Sequence, residues 1–124
     1  MARLNSLQVW AADLAATAKF YGQFIGLELD AEPHQHDGND APHYDLAWGD
    51  FATGEYVMLH LAQASPGQRT TGAQIGITVD DVDAVHQRAA EFGVTVVEEP
   101  YDGEWGRSAK YEDPDRNIVS ISGG

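Results

Sequence analysis

With 124 residues the chain is too short for two independent cores, and 43% hydrophobic, 10% aromatic and 22% charged residues place it among globular rather than disordered compositions. Its 20 Asp and Glu against 7 Lys and Arg leave a formal charge of -13, a field that repels phosphate backbones and anionic lipid heads, so neither nucleic acid nor a membrane surface is expected as a partner. The absence of Cys excludes disulfides, thiolate metal sites and a cysteine nucleophile. Asn5, Gln8 and Asp13 break up the first apolar stretch and no run of about 18 apolar residues occurs, so the expectation is a cytoplasmic protein.

The two halves repeat one pattern. Residues 7–29 read LQVWAADLAATAKFYGQFIGLEL and residues 75–97 read IGITVDDVDAVHQRAAEFGVTVV. Each has an alternating strand and then an Asp, Asp13 or Asp81, suited to cap a helix by accepting an orphaned backbone N–H. The helix that follows carries one apolar stripe, Leu14, Ala18, Tyr21 and Ile25 in the first half and Val82, Val85, Ala89 and Phe92 in the second. Gly26 and Gly93 stand where each helix must end, and Leu27 with Leu29, or Val94 with Val96, then alternate as a half-buried strand does.

Gly38, Pro42 and Gly54 punctuate short strands in the rest of the first half, with a hairpin turn around Gly54 before a strand at residues 56–62. Residues 63–72, rich in Ser, Pro, Gly, Gln and Thr, read as a linker. In the second half residues 100–106 read as a loop, 107–112 as a strand, 113–117 as a turn and 118–122 as a closing strand. The prediction is one α+β domain of two βαβββ modules, about 1–64 and 73–124, pairing into an open, barrel-like mixed sheet with a central cavity.

The sequence resembles the vicinal oxygen chelate superfamily, which includes glyoxalase I, extradiol dioxygenases and bleomycin-resistance proteins. The likeness is carried by DL followed by FY and IGLEL, by VDDVDAV and FGV, and by WG followed by EDPDRNIVSI. In metal-dependent members four strand positions converge on one divalent ion; here they match Asn5 or Ser6, His60, Gln74 and Ser120. Only His60 is a strong ligand, Gln74 is a weak one, and a serine at the last position is no general base. The resemblance is therefore to the bleomycin-resistance branch, whose members act as dimers that sequester a large, often cationic and aromatic antibiotic. It implies a metal-independent small-molecule binding protein and homodimer without a cofactor. The alternative is a metal-dependent lyase, isomerase or dioxygenase using Zn, Ni, Mn or Fe through His60 and Gln74.

Alternation in YVMLHLA puts Met58 and His60 on one strand face, opposite Val57, Leu59 and Leu61. The ligand-binding candidates are His60, Met58, Trp48, Gln74, Trp105, Tyr111 and Ser120, the aromatic residues as stacking faces and Trp105 because its YDGEWGR surroundings do not suit a core. Trp10 is read as core packing. His34, His36 and His43 lie in a stretch of loop composition, read as a surface loop before a metal site. No Lys or Arg stands between Lys19 and Arg69 while eight acidic residues do (Glu28, Asp30, Glu32, Asp37, Asp40, Asp45, Asp50 and Glu55), a one-signed stretch that attracts cations if it lines a groove. Asp113, Pro114 and Asp115 read as a turn rather than as catalytic carboxylates, with Arg116 where the family usually has Gly.

Overall fold

A computed structural model describes residues 2–35 and 41–123. Strand β1 (Ser6–Ala11) leads to α1 (Leu14–Ala18), which continues as a π-helical segment, Lys19–Ile25. Next come β2 (His43–Asp50), β3 (Glu55–Gln63), β4 (Gln74–Val79), α2 (Val82–Gln87), β5 (Thr95–Gly103), β6 (Gly106–Glu112) and β7 (Ile118–Gly123). Both predicted caps form: Asp13 accepts from the Ala16 N–H at 3.3 Å and Asp81 from the Ala84 N–H at 3.1 Å. Gly26 and Gly93 end the helical segments with φ of 103° and 65°, values that a side chain would strain.

The architecture is α+β, with two mixed sheets that stay open rather than closing into a barrel. One sheet has the order β1-β3-β2 and the other β4-β7-β6-β5; β1 runs parallel to β3 and β4 parallel to β7. In two places the strands depart from the sequence reading. Leu27 and Leu29 form no strand, so the first module has three strands instead of the expected four, and the stretch read as loop adds one isolated bridge between His34 and His43. Both leucines instead pack against the core, Leu29 lying close beside Gly22, so their alternation reflects burial and not pairing. Conversely, residues 100–103 belong to β5 and not to a loop, because β5 is an outermost strand, where a proline forfeits no ladder bond.

Both sheets turn one face to a shared core. Leu59 and Leu61 of β3, Val9 of β1, Tyr111 of β6 and Val119 and Ile121 of β7 all bury there with the helices. The first helix inserts between the modules, which explains why Phe20 and Phe24 are buried in addition to the predicted stripe of Leu14, Tyr21 and Ile25. Phe24 meets Tyr111 edge to face at 5.0 Å, while the Arg88 guanidinium donates to the Phe24 carbonyl at 2.6 Å and 3.1 Å.

The turn opened by Asp113 is a second junction. Asp113 accepts from the Tyr21 hydroxyl at 2.7 Å, from the Asn117 amide side chain at 2.9 Å, and from the backbone N–H groups of Asp115 and Asn117 at 2.8 and 2.9 Å. Burial first, and the neighbouring Asp113 carboxylate second, keep the Tyr21 hydroxyl protonated far above its ordinary range. Asn117 also donates to the Thr70 carbonyl, and Thr70 in turn pairs with Trp10 on β1, so the interhalf segment is fastened to both modules.

Arg116 closes this turn at φ 66° and is the sole non-glycine residue at positive φ among those described. Left-handed backbone costs an L side chain about 1 kcal/mol. Arg116 is exposed. Arg116→Gly should therefore raise stability by about 0.5–1 kcal/mol in urea denaturation; a loss of stability would show that the arginine side chain contributes more than its backbone strain costs.

Candidate functional site

The faces turned away from the core hold the polar side chains of both sheets. On the first sheet the register pairs Gln8 with His60 and Trp10 with Ala62 across β1 and β3, and Asp45 with His60 across β2 and β3. Together with Ala41 and His43 these residues line a hollow of about 310 Å³. Its side walls are β-strands, which fix side-chain direction better than loops do.

His60 is the centre of this hollow. Its Nδ1 lies 2.6 Å from Oδ1 of Asp45, with the two side chains 27% and 32% exposed. The other oxygen of the same carboxylate faces Nε2 of His43 at 3.3 Å, and His43 Nδ1 donates to the Ala41 carbonyl at 2.9 Å. Asp45 thus sits between two imidazoles. Further out, His34 pairs with Asp30 at 2.5 Å, and its ring lies 6.2 Å from that of His43. His36, the third histidine of that stretch, lies outside the described residues.

The register sets the neighbours of His60. The residue beside His60 on β1 is Gln8, whereas Ser6 stands opposite Met58 and the Asn5 carbonyl accepts from the Met58 N–H. Trp10, read as core from its sequence, lies on the outer face and borders the hollow, because Val9 and Ala11 on either side take the core-facing positions. Tyr111 is the opposite correction. It is fully buried on the core side of β6, where its hydroxyl meets His86 Nδ1 at 2.9 Å, so it offers no stacking face. Burial, helped by the charges of Asp83 and Glu99, pushes its hydroxyl up to about 12.

The other candidates are dispersed. Met58 shares the outer face with His60 but also borders a second, apolar hollow of about 390 Å³, together with Trp48, Leu7, Val57, Ile75 and Ile77. Trp48 is 47% exposed there. Gln74 and Ser120 lie on the outer side of the second sheet, Ser120 opposite Gly76 and Gln74 opposite Ile118. Trp105 is 83% exposed, between the ends of β5 and β6. The hollow that His60 lines does not reach Ser120. Near the second sheet, Asp83 is exposed and held below the usual carboxylate range by hydrogen bonds from Arg107 at 3.1 and 3.2 Å.

The donors on these faces do not fit a divalent-metal quartet. The matched quartet positions with Gln8 offer one imidazole already bonded to a carboxylate, two amides on different sheets and a serine hydroxyl, and even with His43 across Asp45 no group of three or more His, Cys, Asp and Glu suited to an ion occurs among the described residues.

The sequence model of the Glyoxalase/Bleomycin resistance protein/Dioxygenase superfamily matches residues 3–121, and the chain belongs to that superfamily. Among solved structures it is similar to TnmS3, an antibiotic binding protein from Streptomyces sp. CB03234, at 26% identity, with 99% of this chain and 96% of that one covered and a TM-score of 0.69. A glyoxalase/bleomycin resistance protein from the same Streptomyces is similar at 27% identity, covering 97% and 99%, with a TM-score of 0.66. The oxidase ChaP-H2 is similar at 25% identity, covering 99% and 98%, with a TM-score of 0.66. No helix among the described residues is long and apolar enough to cross a membrane.

Proposed function

We propose that this chain is a metal-independent binding protein that sequesters a small, cationic aromatic molecule, working as a homodimer and breaking no bond. The observation that carries this reading is the outer face of the first sheet. There the Asp45 carboxylate, the His60 imidazole, the Gln8 amide and the Trp10 ring border one hollow, and Asp45 and His60 come from the stretch that has no Lys or Arg between Lys19 and Arg69. An indole ring beside a carboxylate suits a planar cation, by stacking and by charge. Similarity to an antibiotic binding protein agrees with it. A second copy has a role in this reading: the His60 face and the Ser120 face point away from one shared core, so another chain is needed to cover either.

The test is a thermal melt at low salt against acridine orange, ethidium and berberine. At least one should raise Tm in proportion to its concentration, since a ligand that binds only the folded chain stabilises it by mass action. His60→Ala should abolish most of that shift while leaving the unliganded chain folded, at a cost of about 1 kcal/mol for the lost Asp45 contact. No shift from any of the three would remove this reading.

Similarity to an oxidase favours the second reading, a metal-dependent enzyme of the same superfamily. Elemental analysis decides it: a stoichiometric ion with a large gain in Tm would replace sequestration by catalysis.

A further inference from the structure

We infer that Asp45 fixes the tautomer of His60, so that the hollow selects aromatic ligands carrying a hydroxyl that can donate a hydrogen bond. This rests on the binding role proposed for the same face and specifies its ligand further.

A carboxylate accepts and does not donate. The 2.6 Å contact between Asp45 Oδ1 and His60 Nδ1 therefore places the hydrogen on Nδ1. In a neutral imidazole the second nitrogen, Nε2, is then left with its lone pair and can only accept. An isolated histidine on a strand has no such restriction. Here the restriction is built in by register, because Asp45 and His60 are direct cross-strand partners on β2 and β3, with their side chains on the same face. The other Asp45 oxygen lies 3.3 Å from Nε2 of His43, whose Nδ1 hydrogen is already given to the Ala41 carbonyl, so His43 donates to Asp45 only in its imidazolium form.

The remaining borders of the hollow suit the body of such a ligand. Trp10 supplies an aromatic surface, Ala41 and Ala62 are too small to obstruct a planar ring, and Gln8 stands directly beside His60. A flat aromatic against Trp10 with its hydroxyl toward His60 would donate to Nε2. The corresponding methyl ether has a similar shape but no proton to give, and forgoes the hydrogen bond to Nε2.

Asp45 is a positioning residue in this account and His60 the contact. The test uses the full chain at about pH 8, where an ordinary imidazole is neutral. Imidazole nitrogen NMR on 15N-labelled protein should show His60 protonated at Nδ1 and bare at Nε2. Asp45→Asn should reverse this, since its amide can donate to Nδ1 and push the proton to Nε2. Fluorescence titration should give 2-naphthol tighter binding than 2-methoxynaphthalene by on the order of tenfold, the worth of one hydrogen bond of about 1.4 kcal/mol, with the difference lost in Asp45→Asn.

Wild-type His60 protonated at Nε2 would overturn the inference at its origin. The expected tautomer with equal binding of the two probes, or binding of neither, would overturn the ligand class. Failure of sequestration as such is read separately, from the cationic compounds, none of which carries the naphthol hydroxyl.

Discussion

Replacing Asp113 by Ala should cost about 4 kcal/mol or more, a large part of the ~5–15 kcal/mol that holds an ordinary domain together. The carboxylate is 4% exposed and serves the Tyr21 hydroxyl, the Asn117 side chain and two backbone N–H groups. Its removal leaves those donors buried without acceptors, at about 1–3 kcal/mol for each that water cannot reach. Tyr21→Phe removes one donor and keeps the acceptor, so it should cost less, about 1–2 kcal/mol. Urea denaturation of the two variants gives the comparison. If Asp113→Ala lost less than about 1 kcal/mol, the turn would be a bystander rather than a junction of the modules.

Phe24→Ala should be of similar size, about 3–5 kcal/mol, with Tm lower by roughly 10–20 °C in circular dichroism. Phe24 is fully buried, and its ring touches Phe20 at 5.4 Å, Phe92 at 6.2 Å and Tyr111 at 5.0 Å. Two of those partners belong to the other module, so the cavity would open where the halves meet and little nearby could collapse into it. Phe24→Leu, which refills most of the volume, should recover more than half of the loss. Equal losses in both variants would point to ring geometry rather than volume as the source of stability.

What the sequence disclosed is what local chemistry decides. Asp13 and Asp81 announce helix starts because a cap needs one side chain and the next few residues, and Gly26 and Gly93 announce helix ends for the same reason. The pair Leu27 and Leu29 misled because alternation records which side is buried, and a coil pressed on a core leaves the same trace as a strand. Trp10 misled for another reason: its size suggested the interior, while its neighbours Val9 and Ala11 had already claimed the inward positions. Tyr111 is the reverse case, since Lys110 and Glu112 on either side take the outward positions, and that alternation was available to be read.

Asp45 could not be found from its surroundings in the chain. Fifteen positions separate it from His60, and their contact exists only because β2 and β3 pair in one register out of several. Gln8 is hidden similarly, since its place beside His60 depends on how far β1 slides along β3. The family likeness matched Asn5 or Ser6 on the first strand to a ligand position and did not single out Gln8, the residue that register sets beside His60. Residue type was legible; adjacency was not.

The outermost strand of the larger sheet has one more effect. β5 carries Pro100 and two register shifts, between Val96 and Glu98 and between Glu98 and Tyr101, with Glu98 and Glu99 at the irregularity. A border that is kinked, charged and short of an amide hydrogen is a poor template for a foreign strand. Runaway fibril growth is thereby discouraged on that flank, even though Val97 and Tyr101 lie exposed along it.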